Sequence, residues 1–191
     1  MSIVSYIVIA LAMGIVNMLL FRRCGEATPV RLSAGLLIVL AVSAIHVVLY
    51  YLGSRVGSLL SLHSPDDPYM YADVNAYIFL GLTLMVIIKM FAPYLRKVPR
   101  LPLFNLGDRR SVVAMAVATG INVLLVGIGT GFVEQGHALH KIVWPLLTAS
   151  LLLGYLGLMF GRQKVQLRPR RWMVVACVLL LGTAIAACVN A

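Results

Sequence analysis

Charged residues are scarce in this chain, and acidic residues are the scarcest. Charged side chains make up 12% of its 191 residues, with six Asp and Glu in total, whereas hydrophobic side chains make up 61%. Soluble domains carry roughly a quarter charged residues, so this composition excludes an ordinary water-soluble domain. A transmembrane helix needs about 20 apolar residues, and six such spans would use most of the chain. The sequence therefore predicts an all-α, polytopic membrane protein in contact with a lipid bilayer.

Cysteine is also rare, and its spacing excludes two further classes of protein. Cys24, Cys177 and Cys188 form no C-x-x-C pair, so neither a disulfide framework nor a zinc site is indicated. The sequence also offers no nucleophile with a nearby base and no cluster of metal ligands, so we expect no enzymatic activity and no cofactor. The first charges follow the first apolar run, the reverse of a cleavable signal peptide, and we expect that run to be retained.

Six apolar runs separated by charged loops predict six transmembrane helices. Of the sixteen Lys and Arg, all but Arg55 and Lys141 lie in or beside the first, third and fifth loops. By the positive-inside rule these loops are cytoplasmic and both termini lie outside. The net charge of +10 therefore reflects membrane topology, and we expect no nucleic-acid partner. The predicted spans are residues 2–21, 32–52, 72–92, 111–133, 142–161 and 172–189.

An internal repeat relates the two halves of the chain. Residues 10–20 read ALAMGIVNMLL and residues 116–125 read AVATGINVLL, which places Asn17 and Asn122, 105 residues apart, in the middle of a span. A Gly-x-x-x-Gly pair ends the second span and recurs 104 residues later at the end of the fifth. These agreements in the same order predict that the chain is built from two related three-helix halves.

The odd number of spans in each half requires the second half to enter the membrane inverted. We expect residues 1–92 to form the first repeat, residues 93–110 a basic cytoplasmic linker, and residues 111–191 the second repeat. Inverted repeats are common in transporters, and their substrate site lies near the midplane between the repeats. Alternating access would then come from one half rocking against the other.

The candidate site residues follow from this arrangement. Asn17 and Asn122 occupy matched positions and are expected to meet at the midplane, with Met13, Met115 and Thr119 facing the same cavity. His46 is the only titratable candidate in the core of a span, and it is a candidate ligand or proton carrier. The alternatives are hydrogen bonds between helices for the asparagines and for a neutral His46, and close helix packing for the glycines.

In its motifs and topology the chain resembles the bacterial manganese efflux pump family, MntP-like, within the lysine-exporter superfamily. The resemblance covers essentially the whole chain and is best in residues 118–129, ATGINVLLVGIG, and residues 156–162, LGLMFGR. It implies a secondary transporter in the cell inner membrane that exports a small cation such as Mn²⁺, with Asn17 and Asn122 as metal ligands. The chain departs from the family where these asparagines replace aspartate and Val42 replaces glutamate.

This departure leaves three hypotheses open. Amide oxygens coordinate hard cations, so Mn²⁺ efflux is the first hypothesis. Without carboxylates, little offsets the dehydration of a divalent ion in a low dielectric, so the second is export of a neutral or other small solute. The third is a non-transporting membrane partner that keeps the fold. The sequence predicts no particular oligomeric state.

Overall fold

A computed structural model describes residues 1–28, 30–62, 71–95, 104–134 and 139–189 of the chain. In this described part all the regular structure is helical, and each of its six helices is long and apolar enough to cross a membrane. The prediction of an all-α, multi-pass membrane protein is confirmed. Part of the predicted linker, residues 93–110, lies outside the described residues. The helices are α1 Ile3–Ala27, α2 Leu32–Leu60, α3 Ala72–Leu95, α4 Arg109–Glu134, α5 Leu139–Arg162 and α6 Pro169–Val189.

The helices are longer than the predicted spans because polar residues extend them beyond the apolar runs. The hydroxyl of Ser2 accepts a hydrogen bond from the amide of Ser5 and caps α1, as serine commonly does at a helix start. The carboxylate of Asp108 accepts from the amides of Arg110 and Ser111 and caps α4 in the same way. Near the C-terminus of α2, Arg55 is exposed, and its guanidinium lies 5.4 Å from the centre of the Tyr51 ring.

The bundle is organised around two closely packed helix pairs, α1 with α5 and α2 with α4. Each pair joins one helix from the first half of the chain to one from the second. In each pair, residues later in one helix contact residues later in the other, so the two helices run parallel. Additional packing joins α1 to α6, α3 to α4, α3 to α6 and α2 to α5. Extensive contact is therefore made between the halves of the chain.

Glycines bring the paired helices into backbone contact. Gly57 lies against the carbonyl of Ile128, and Gly161 against the carbonyl of Arg22, so that a Cβ at either glycine would overlap an oxygen atom. Small residues drive helix association in lipid because they allow such close approach. The packing role predicted for these glycines is confirmed. Gly81 differs, since no other group lies within 4 Å of the position a Cβ would occupy.

The outer surface of the bundle is apolar and suits contact with lipid. Leu37, Ile88 and Val178 are all more than 60% exposed. The exposed indoles of Trp144 and Trp172 lie near the ends of α5 and α6, where tryptophan is enriched in membrane proteins. Polar side chains such as those of Asn17 and His46 are instead buried within the bundle, as expected in hydrocarbon.

The helices alternate in direction, which gives the bundle two distinct ends. We call the end formed by the C-termini of α1, α3 and α5 and the N-termini of α2, α4 and α6 the basic face. There, Nε of Arg22 donates to the carbonyl of Val165, 3.0 Å away, and ties α1 to the loop after α5. At the opposite face, Nδ2 of Asn75 donates to the carbonyl of Leu62 at 2.8 Å and ties α3 to the end of α2. The cytoplasmic location of the basic face stays a prediction.

The glycine contacts predict unequal effects of adding one methyl group. Gly57→Ala and Gly161→Ala each force a Cβ against a backbone oxygen, which cannot move without separating the helices, and each should lower the free energy of unfolding by about 1–3 kcal/mol. Gly81→Ala, set in open space, should be neutral or stabilising because alanine is the better helix former. Thermal unfolding in detergent measures all three. Equal loss of stability in Gly81→Ala would contradict this explanation.

Candidate functional site

Five polar side chains from four helices meet near the centre of the bundle. The central polar cluster consists of Asn17 from α1, Ser43 and His46 from α2, Thr119 from α4 and Ser150 from α5. Four of them are at most 2% exposed, and Thr119 is partly buried. His46 and Ser150 lie halfway along their helices. The cluster therefore sits at mid-depth of the bundle.

Hydrogen bonds link the members of this cluster across the helices. Nδ2 of Asn17 donates to Oγ of Ser150, 2.5 Å away, and to Nδ1 of His46, 3.1 Å away. The hydroxyl of Ser43 also donates to Ser150 Oγ at 3.2 Å. Nε2 of His46 lies 2.9 Å from Oγ1 of Thr119. These bonds connect α1, α2, α4 and α5 in one continuous network.

The network assigns the protonation of His46. The Thr119 hydroxyl donates its hydrogen to the backbone carbonyl of Met115, 2.8 Å away, so its oxygen accepts from Nε2–H of His46. Nδ1 of His46 then acts as acceptor for Asn17. Both ring nitrogens are thus occupied in a neutral imidazole. Of the two readings of His46, the hydrogen bonds favour the neutral histidine bonded to neighbouring helices.

A cleft of about 220 Å³ leads from the basic face toward the cluster. We call it the basic cleft; it lies between α1, α3, α4 and α6, and Phe104 borders it just before α4. Thr119 and Asn122 line its deep part, and Arg23 and Lys89, near the helix ends, line its mouth. Thr119 also belongs to the central polar cluster, so the two features are contiguous.

Two polar groups of the basic cleft have no hydrogen-bond partner in the described part of the chain. Asn122 is only 8% exposed, and its Oδ1 is buried and unpaired. One terminal nitrogen of the Arg23 guanidinium, Nη1, is likewise buried and unpaired. An unsatisfied buried polar group costs about 1–3 kcal/mol, and more if it is charged. Such atoms mark places where a ligand can supply the missing bond.

Toward the opposite face, the described residues next to the cluster are closely packed. The hydroxyl of Thr130 donates to the carbonyl of Gly127 and its oxygen accepts from the Tyr50 hydroxyl, 2.5 Å away. Phe79 packs against Gly129, and its side chain is 1% exposed. The central polar cluster is therefore approached from the basic face by a cleft and separated from the other face by tightly packed helices.

The predicted site residues do not share one cavity. Asn17 lies in the central polar cluster and Asn122 in the basic cleft, and no hydrogen bond joins them. Met13 and Met115 are fully packed in the core, at 3% and 0% exposure, and neither lines the cleft. The expectation of a common cavity is corrected because the face of α1 that carries Met13 and Asn17 is pressed against α5. Thr119 is the predicted residue that belongs to both features.

Arg23 and Lys89 line the cleft but are not among the site residues that the sequence predicts. In the sequence they belong to the charges that orient the protein in the membrane. Lys89, however, falls inside the third apolar run, with no acidic residue beside it. A cation embedded in a span usually faces a cavity or the interior, and that signal could have identified the cleft.

The described residues provide no cluster of three or more His, Cys, Asp or Glu side chains able to hold a metal ion. The four described carboxylates, Glu26, Asp73, Asp108 and Glu134, all lie at or beside helix ends. The amide of Asn17 faces His46 and Ser150 with its NH₂ group, which cannot bind a cation. The electrostatic character of the site is thus neutral at the centre and positive at the mouth of the cleft.

Comparisons of the chain with protein-family models, curated proteins and solved structures returned no match. The resemblance to manganese efflux pumps therefore stays a hypothesis. The case for function depends on the central polar cluster and the basic cleft.

The hydrogen bonds predict that the two asparagines differ in their effect on stability. Asn17→Ala removes the donor to both His46 and Ser150 and should cost about 1–2 kcal/mol, since each interhelical bond in a membrane contributes on the order of 1 kcal/mol. Asn122→Ala removes an unpaired oxygen and should cost much less. Thr148→Ala is the control, because Thr148 is exposed and bonds only its own helix.

Chemical and thermal unfolding in detergent would measure these differences. Equal losses for the two asparagine variants would contradict the separate surroundings described for them.

Proposed function

We propose that the chain is a secondary transporter for a small solute, with its halves related as an inverted repeat. The observation that carries this proposal is a buried polar cluster at mid-depth, built by helices from both halves and reached by a cleft from one face. Transporters place their sites in this way. A protein that served only as a membrane partner would need neither a polar centre nor a route to it.

The packing pattern supports the inverted repeat. Exchanging α1 with α4, α2 with α5 and α3 with α6 converts the α1–α5 pair into the α4–α2 pair and the α1–α6 contact into the α4–α3 contact. The α2–α5 and α3–α6 contacts map onto themselves. Because α1 and α4 run in opposite directions through the bundle, the exchange requires a two-fold axis in the membrane plane.

The registers of these contacts support it further. Gly53 lies against Leu124, and Gly157 lies against Met18; the glycines are 104 residues apart and their partners 106 apart. The same two offsets, 104 residues between α2 and α5 and 106 residues between α1 and α4, relate three further pairs of contacts. They are Gly57–Ile128 with Gly161–Arg22, Gly131–Ser54 with Gly25–Leu158, and Gly120–Leu49 with Gly14–Leu153.

This register explains why the asparagines are separated. At an offset of 106 the counterpart of Asn17 is Val123, one residue beyond Asn122. One residue turns a helix by about 100°, so Asn17 and Asn122 point in different directions. His46 and Ser150, at an offset of 104, are true counterparts, and Asn17 bonds to both. At the centre of the bundle the matched positions therefore carry different residues, His46 in one half and Ser150 in the other.

The packing also favours a particular pair of moving bodies. Rocking of one sequence half against the other would break the backbone contacts of α1 with α5 and of α2 with α4. We propose instead that α1, α5 and α6 form one unit and that α2, α3 and α4 form the other. The α2–α5 and α3–α6 contacts between these units are both much smaller than the α1–α5 and α2–α4 contacts within them. The bonds of His46 with Asn17 and of Ser43 with Ser150 cross the boundary at its centre.

A neutral or anionic solute suits this site better than Mn²⁺. The nitrogen atoms of Asn17 and His46 are engaged in protein hydrogen bonds, and Oδ1 of Asn122 is a buried acceptor without a partner among the described residues. Arg23 and Lys89 place positive charge at the mouth of the cleft, which repels a divalent cation. Export of Mn²⁺ is kept as the alternative that the second experiment below tests.

Two distances distinguish the proposed moving units from the sequence halves. With Cys24, Cys177 and Cys188 replaced, spin labels are attached in one variant at Arg110→Cys and Gln163→Cys, and in another at Ala27→Cys and Gln163→Cys. Double electron–electron resonance in lipid nanodiscs should give two populations of distance for the first pair, which spans the two units. The second pair, within one unit, should give a single narrow distribution.

The reverse result would favour rocking of the sequence halves. A single unchanging distance for both pairs, with and without cargo candidates, would favour the non-transporting membrane partner.

Manganese export is tested in a manganese-sensitive cell that lacks its own exporter. We expect wild-type protein, verified at the membrane by a fluorescent tag, to leave Mn²⁺ accumulation unchanged, because no carboxylate offsets ion dehydration among the described residues of the cleft and cluster. A known manganese exporter in the same cells is the positive control. Lowered accumulation that is lost in Asn122→Ala would overturn the preference for a neutral or anionic cargo.

A further inference from the structure

The basic cleft combines three features that together specify a ligand. Its mouth carries Arg23 and Lys89, its walls are mostly apolar, and its deep end is lined by Asn122, whose buried Oδ1 has no partner among the described residues. No acidic residue lines it among the residues the structure describes. The positive charges at the mouth therefore have no compensating partner on the walls of the cleft.

The unpaired nitrogen of Arg23 points to an acidic group on the ligand. A buried cation is stable when it is paired and hydrogen-bonded, and the planar guanidinium matches the geometry of carboxylate or phosphate oxygens. Lys89 is exposed on α3 across the cleft from α1 and adds a second positive charge for the same group. An anion held between them would satisfy Arg23 and be attracted by both side chains.

The size and walls of the cleft limit the rest of the ligand. Leu20, Met90 and Met173 are among the apolar side chains that line it. From Arg23 to Val16, level with its deep end, α1 rises about 10 Å. The volume of about 220 Å³ is larger than the roughly 150 Å³ of an apolar cavity that binds one benzene molecule. The cleft therefore has room for one short apolar chain or ring.

The deep end of the cleft selects the other end of the ligand. Oδ1 of Asn122 is an acceptor that lacks a donor, in a side chain that is 8% exposed. A hydroxyl or N–H group placed there would supply the missing hydrogen bond. Discrimination by such a buried acceptor is strong, because an analogue without the donor leaves the oxygen unpaired.

We propose that the basic cleft binds a small amphipathic acid, whose acidic group pairs with Arg23 and Lys89 and whose far end donates a hydrogen bond to Asn122. As a statement about cargo this inference rests on the proposed transport function, but as a statement about binding it is tested without transport. The acidic group could belong to a soluble organic acid or to a membrane lipid headgroup, and the experiment separates these two sources.

Binding is measured by calorimetry on the full chain in nanodiscs of phosphatidylcholine, with 8-hydroxyoctanoate as the probe. The expected result is saturable binding that is at least tenfold tighter than that of (8-hydroxyoctyl)trimethylammonium, which has the same hydroxyl-terminated chain and the opposite charge. Octanoate, which lacks the hydroxyl, should bind with intermediate affinity. Equal affinity for the acid and the ammonium compound, or no saturable binding of the acid, would overturn the proposal.

Three variants locate the site. Arg23→Gln should weaken 8-hydroxyoctanoate at least tenfold, and Asn122→Leu should reduce its affinity to that of octanoate while leaving octanoate binding unchanged. Arg110→Gln removes an exposed charge from the same face without touching the cleft and should bind as wild type does. Thermal unfolding identifies any variant that is misfolded. In that case the comparison of the three ligands on the wild-type protein tests the proposal. Loss of binding in Arg110→Gln equal to that in Arg23→Gln would mean that only the general surface charge matters.

The source of the acid is tested by adding phosphatidylglycerol to the nanodiscs. Competition with 8-hydroxyoctanoate would support the anion site with a lipid headgroup as its occupant, and unchanged affinity would support a soluble acid. Flux of the same acid into proteoliposomes is measured separately. Binding without flux would leave the site intact and count against transport, whereas flux unaffected by Arg23→Gln would count against the site and leave transport intact.

Discussion

Contact between glycine and a backbone carbonyl of the neighbouring helix is the interaction on which this bundle depends. In lipid, apolar side chains gain little by leaving one hydrocarbon environment for another, so helices associate through close packing and polar contacts. Gly57 against Ile128 and Gly161 against Arg22 bring the backbones of each parallel pair together. All other features follow from this arrangement, because it fixes which residues of α1, α2, α4 and α5 face the centre.

The centre and the cleft differ in how their polar atoms are satisfied. In the central polar cluster, Asn17 supplies both hydrogens of its amide to His46 and Ser150, and the imidazole is bonded at both nitrogens. In the basic cleft, Asn122 and Arg23 keep buried polar atoms without partners. A network in which every polar atom has a hydrogen-bond partner stabilises the fold, whereas an unpaired buried polar atom can bind a ligand that supplies the missing bond. The two asparagines therefore have different surroundings in spite of their similar sequence context.

The fold could be predicted from the sequence further than the site could. Apolar runs identified all six spans, and the Gly-x-x-x-Gly motifs identified the glycine surfaces, because both signals depend on short stretches of chain. Which helix packs on which surface depends on the whole bundle, and no local pattern pairs α1 with α5. The internal similarity of the sequence places Asn17 level with Asn122, but a difference of one residue in register turns a helix by about 100°. Arg23 was missed because a charge at a helix end has the same sequence signature whether it faces water or a cleft.

The parallel pairing of α1 with α5 also limits how early during synthesis the bundle can assemble. When α1 enters the membrane, the surface formed by Gly14 and Gly25 has no partner, because α5 begins only at Leu139. About 110 further residues must be synthesised first, which takes on the order of ten seconds at roughly 5–20 residues per second. The close packing of α1 in the bundle therefore forms only after α5 has been synthesised.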